Sequence, residues 1–133
     1  MVQLYYGDGK GKTTAAVGAA VRAAGAGESV LFVSFYKDGS SSEVAALERL
    51  GVQCLFPREQ FQMFCPVTAE KQAALAADYA RLLTEIDARA ADCFLVVLDE
   101  GADAFAGDLL PRQAVLDFSV SYTHLTLPTT ERV

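Results

Sequence analysis

Gly7-Asp8-Gly9-Lys10-Gly11-Lys12-Thr13-Thr14 brings together three glycines, two lysines and two hydroxyls within eight residues. Glycines let a backbone bend tightly and approach an anion, so that successive N–H groups point inward and cradle oxygens. If a helix follows, its N-terminus adds a partial positive charge that favours phosphate. Lys12 then contacts phosphate directly, Lys10 adds a second cation, and the Thr13 hydroxyl can join a metal shell. The common phosphate loop reads G-x-x-x-x-G-K-[ST]. Counting back from Gly11-Lys12-Thr13 places its first glycine at residue 6. Residue 6 is Tyr6 and the glycine is Gly7, so this loop is one residue short.

A second chemical group stands far along the chain. Val96-Val97-Leu98 runs straight into Asp99-Glu100. A carboxylate at the C-terminal end of a parallel strand lies on the sheet edge where α/β proteins bind ligands. Phosphate-loop proteins hold Mg²⁺ with an acid at such a place. The plain alternatives are a glycine turn with exposed lysines and a solvated Asp-Glu pair at a strand end. The strand before the loop and the helix after it favour the phosphate site.

The elements that must position these groups follow from the pattern. Val2 to Tyr6 is a short apolar run that ends at the glycine loop, which predicts a buried strand. Thr13 to Ala24 is alanine-rich and predicts a helix, closed by Gly25 and Gly27. Val30 to about Phe35 is a second strand. Lys37 to Ser40 is a loop, and Ser40 with Glu43 fits a capping box for a helix ending at Leu50 and Gly51. Val52 to Phe56 is a third strand, stopped by Pro57. Residues 58–67 are irregular and rich in aromatics. Thr68 caps a long helix through Ala91, with Leu75, Tyr79, Leu82, Leu83 and Ile86 at helical spacing. Phe94 to Leu98 is a fourth strand, and Pro111 suits the first turn of a last helix toward Phe118. Short strands that are apolar on both faces and alternate with helices imply a parallel sheet covered by helices.

At 133 residues the chain suits one domain. Its formal net charge of −6 gives no general attraction to nucleic acid or anionic membranes, so an anion site must be local. No apolar run approaches the ~20 residues of a membrane span, and no basic segment with an apolar h-region opens the chain. Cys54, Cys65 and Cys93 form no C-x-x-C pair and read as reduced thiols, which predicts a cytoplasmic protein. Cys93, just before an apolar strand, reads as core packing.

With these residues in place, the chain resembles the ATP:corrinoid adenosyltransferases, also called cob(I)yrinic acid a,c-diamide adenosyltransferases. The resemblance runs from Val2 to about Phe118. It rests on "YYGDGKGKTTAAVGAAVRAAGAG", "VLFVSFYKDGSSSE", "FQMFCPVTAEK" and "LVVLDE". The shortened loop is its most specific element. The resemblance implies a three-layer α/β fold like that of phosphate-loop NTPases, with a mainly parallel sheet that is incomplete at the C-terminus. It implies transfer of the 5′-deoxyadenosyl group of ATP to the cobalt of a reduced corrinoid, with release of triphosphate, in cobalamin biosynthesis or salvage. The nucleophile is Co(I), which suits a chain that offers no Ser-His, Cys-His or paired-carboxylate arrangement before residue 119. By the same resemblance, residues 7–14 (Gly7, Asp8, Gly9, Lys10, Gly11, Lys12, Thr13, Thr14) and Lys37 bind ATP. Thr13 and Glu100 hold Mg²⁺ or Mn²⁺ with Asp99 beside them. Phe61 and Phe64 face the corrinoid, or are ordinary packing residues. Implied partners are a flavoprotein reductase and a second copy of the chain.

The resemblance ends at Phe118. Ser119 to Thr129 reads SVSYTHLTLPT, the translation of a transposase adapter used in sequencing libraries. The expected organisation is a partial nucleotide-binding domain over residues 1–118 and a non-native tail over 119–133. The tail is rich enough in Val, Tyr, Thr and Leu to lie along an open sheet edge. His124, inside it, receives no role. Two other functions compete: a phosphate-loop kinase or ATPase, and an inactive ATP-binding fragment.

Overall fold

The computed structural model describes residues 2–5, 11–35, 40–58, 68–99 and 125–126. Strand β1 (Val2–Tyr5) precedes helix α1 (Lys12–Gly25), strand β2 (Val30–Ser34), helix α2 (Ser42–Arg49) and strand β3 (Gln53–Leu55). Helix α3 (Ala69–Ala90), strand β4 (Leu95–Asp99) and the two-residue strand β5 (Leu125–Thr126) follow. The sheet order is β3-β2-β4-β1-β5, and every pairing is parallel. This is an α/β phosphate-loop-like fold, as expected from the alternation of apolar strands and helices.

The topology explains the layers. The chain leaves β1, skips one position to β2, and moves on to β3, using α1 and α2 as crossovers. It then reverses and drops β4 between β2 and β1 by way of α3. Right-handed crossovers taken in opposite directions place their helices on opposite faces. The packing agrees. One cluster joins α1 and α2 (Ala16, Ala20, Leu47) to Val30, Phe32, Leu95 and Val97. The other joins α3 (Tyr79, Leu82, Leu83, Ile86) to Leu31, Val33, Val96 and Leu98. The strand residues divide by odd and even position, as the pleat requires. The central strands β2 and β4 are buried along their whole length, which is why they read as unbroken apolar runs. Ala16 and Ala20 are fully buried one turn apart, so α1 approaches the sheet through methyl groups.

Several boundaries differ from expectation. The capping box at Ser40 and Glu43 predicts Ser40 as the helix cap, but the N-cap of α2 is Ser41, with no side-chain capping bond. Three serines in a row offer nearly equivalent caps, and the helix starts one residue later. At α3 the expectation holds: the Thr68 hydroxyl accepts the Lys71 N–H at 3.1 Å. Strand β3 is shorter than Val52 to Phe56, and it is not apolar on both faces. It lies at the sheet edge, with Gln53 exposed and Cys54 half-buried. Strand β4 includes Asp99 as its last residue rather than ending at Leu98. Cys93 packs against the α3 cluster as expected. The helix expected from Pro111 lies outside the described residues.

Salt bridges on α3 fix the exit of β3. Asp78, 8% exposed, accepts the backbone N–H of Arg58 at 2.6 Å. The Arg81 guanidinium donates to Asp78 at 2.9 Å, to Glu85 at 2.7 Å and to the carbonyl of Phe56 at 3.3 Å. The chain that follows β3 is thus tied to α3 just before the aromatic stretch containing Phe61 and Phe64.

Candidate functional site

Helix α1 begins where the glycine loop ends. Its N-cap is Gly11, at φ 95° and ψ 0°, the left-handed conformation that suits glycine. The Gly11 carbonyl accepts the Ala15 N–H at 2.9 Å, which starts the helical ladder. No side chain caps this end, and no acidic residue lies in its first turn. The positive end of α1 is therefore not neutralised by its own first-turn sequence, which is what an anion site requires.

The strand register then brings the acid to the start of α1. Tyr5 of β1 lies opposite Asp99 of β4, and Ser34 of β2 lies opposite it on the other side. Asp99 is fully buried. The Thr13 hydroxyl, in the first turn of α1, donates to Asp99 Oδ2 at 2.9 Å. Residues 86 positions apart are joined at the carboxyl edge of the sheet. The edge is braced from β2 as well: the Phe35 N–H donates to the Asp99 carbonyl at 3.3 Å. From the opposite face, the Tyr79 hydroxyl donates to the Phe35 carbonyl at 3.0 Å, and the two rings sit 6.1 Å apart.

The structure thus brings together Gly11, Thr13 and Asp99, with Thr14 exposed in the same first helical turn. The backbone of Lys12 begins α1. Gly7, Asp8, Gly9, Lys10, Lys37, Phe61, Phe64 and Glu100 lie outside the described residues. The Thr13 hydroxyl and the Asp99 carboxylate are hard oxygen donors. They suit Mg²⁺, which takes one or two protein groups and completes its shell with water and phosphate oxygens. Among the described residues no three His, Cys, Asp or Glu side chains cluster as a metal cage.

Of the three cysteines, Cys65 lies outside the described residues, and neither Cys54 nor Cys93 is activated. Burial, with a smaller contribution from Glu48, pushes the Cys54 thiol up to about 11. Burial and Asp92 raise Cys93 as well. Both remain protonated at neutral pH and are poor nucleophiles.

Sequence reasoning missed two sets of residues. Ser34 gave no signal within "VLFVSFYK", although strand alternation from Phe32 places it on the α1 face. The Asp78–Arg81–Glu85–Arg89 series was legible as i,i+3 and i,i+4 charge spacing.

A left-handed glycine heads a helix whose Thr13 hydroxyl bonds an acid at the end of a parallel strand, within an α/β phosphate-loop-like fold. A family model described as ATP:corrinoid adenosyltransferase BtuR/CobO/CobP matches residues 1–127. The chain belongs to that family, whose enzymes are transferases acting on ATP and a corrinoid. The match passes Phe118 and reaches into the segment expected as a tail. No curated protein matches the chain. Among the described residues no helix is long and apolar enough to cross a membrane.

Proposed function

We propose that this chain carries the nucleotide half of a corrinoid adenosyltransferase, binding Mg²⁺·ATP through residues 7–14 and Lys37. The Co(I) lone pair attacks C5′ of ATP, the C5′–O5′ bond breaks, and its electron pair leaves on the triphosphate. The cobalt ends as an alkyl-Co(III), two electrons having gone into the new bond. The protein supplies no nucleophile. Its work is to hold C5′ against the cobalt and to stabilise charge on the departing triphosphate.

The observation that carries this reading is the 2.9 Å bond from Thr13 to buried Asp99. It orients the hydroxyl at the positive end of α1, where a triphosphate would lie. Thr13, Asp99 and Glu100 are assigned to Mg²⁺, which when bound offsets the negative charge of the triphosphate. Lys10 and Lys12 add positive charge along the loop. Phe61 and Phe64, which follow Arg58 in the sequence, are assigned to the corrinoid side. The proposed setting is the cytoplasm, with a flavoprotein reductase delivering the electron and a homodimer as the assembly.

The test is anaerobic incubation of the purified chain with Mg²⁺·ATP and a chemically reduced corrinoid. Appearance of a light-sensitive cobalt–carbon product is the expected result. Hydrolysis of ATP without any corrinoid product would favour a phosphate-loop ATPase instead.

A further inference from the structure

Ser34 is the last residue of β2 and is 2% exposed. Its hydroxyl has no hydrogen-bond partner among the described residues. A buried hydroxyl left unpaired is costly in an apolar interior, and such groups normally find a partner in protein, water or ligand. Its position indicates which. Ser34 is the register partner of Asp99 on the neighbouring strand, and paired residues of adjacent strands present side chains to the same face. That face is the α1 face, because Val30 and Phe32, four and two residues earlier, pack in the α1 cluster. Ser34 therefore stands beside the carboxylate that receives the Thr13 hydroxyl bond, at the carboxyl edge of the sheet.

We infer that Ser34 is a ligand-binding residue of the nucleotide site, its hydroxyl hydrogen-bonding the bound Mg²⁺·triphosphate. The inference rests on the phosphate-site reading above and adds a contact from β2 to those from α1 and β4. The partner is either a phosphate oxygen, which accepts the Ser34 O–H, or a water in the metal shell, which donates to the Ser34 oxygen because its own lone pair is held by the metal. A serine suits this place because its hydroxyl is small enough to be enclosed between α1 and the sheet and can rotate toward the ligand.

The experiment is calorimetric titration of the wild-type chain, Ser34→Ala and Ser34→Thr with ATP, with and without Mg²⁺, alongside thermal melts. Ser34→Ala is expected to weaken Mg²⁺·ATP binding about 3- to 10-fold, the scale of one hydrogen bond. Its melting midpoint should not fall, because the lost hydroxyl has no partner among the described residues. Ser34→Thr, which keeps the hydroxyl, should retain more affinity than Ser34→Ala. A loss in both titrations identifies a phosphate oxygen, and a loss only with Mg²⁺ identifies a metal-bound water. Unchanged affinity in Ser34→Ala, with normal wild-type binding, overturns this inference alone. Failure of the wild-type chain to bind ATP at all overturns it together with the phosphate-site reading.

Discussion

Thr13 and Asp99 form the bond on which the site depends. A buried carboxylate needs hydrogen bonds that stabilise its charge, and a hydroxyl donor to a charged acceptor contributes about 1.5–3 kcal/mol. Thr13→Val keeps the shape of the side chain and removes the donor. It is expected to lower stability in urea by about 1–3 kcal/mol and to weaken ATP binding more with Mg²⁺ than without. An equal loss in both titrations would place Thr13 in the scaffold rather than beside the metal. Cys54 gives a pH-dependent prediction. Its folded thiol titrates near 11 against an ordinary value of 9.0, so folding favours the protonated form. The stability this contributes is fully present below pH 9 and is lost as pH rises toward 11. Alkylation of Cys54 by iodoacetamide should therefore be slow at pH 8 in the native chain and fast after unfolding. Equal rates in the two states would contradict the burial.

At the scale of elements, α3 holds the exit of β3 through Asp78. Asp78→Ala removes the acceptor of the Arg58 N–H and one partner of Arg81. The expected cost is about 2–3 kcal/mol, the scale of hydrogen bonds to a charged group, read as a lower denaturant midpoint with an unchanged slope. Asp78→Asn, which keeps one acceptor oxygen, should cost less. The same elements show what a sequence can and cannot convey. Strands β2 and β4 were legible because both faces are buried, and a run such as Val30-Leu31-Phe32-Val33 has few other readings. The start of α3 was legible because Thr68 has one clear capping role. The start of α2 was ambiguous among three serines. The half-exposure of β3 was hidden because edge position depends on strand order, which no local pattern encodes. Gly11, Thr13 and Asp99 were legible as motif residues at the ends of elements. Ser34 was not, since its significance comes only from lying opposite Asp99 across two strands.

At the scale of the whole molecule, β4 lies in the middle of the sheet, although it is the fourth strand in the chain. The return of α3 over the face opposite α1 places Asp99 beside Thr13 at the start of α1. Among the described residues, the sheet continues beyond β1 with Leu125 and Thr126, paired with Val2 and Gln3. An open edge accepts almost any extended segment through its unpaired N–H and C=O groups, so this pairing requires no special sequence. Deleting residues 119–133 is expected to move the thermal midpoint little. A fall of more than about 5 °C, on the order of 1 kcal/mol for a domain of this size, would make the segment structural.

The central claim is that this site directs attack to C5′ of ATP and releases the triphosphate whole. Phosphorus NMR of a reaction containing ATP, Mg²⁺ and excess Co(I) corrinoid reads that outcome directly. The account predicts one inorganic triphosphate for each adenosylated corrinoid formed. ADP with phosphate, or pyrophosphate, as the stoichiometric product would contradict it.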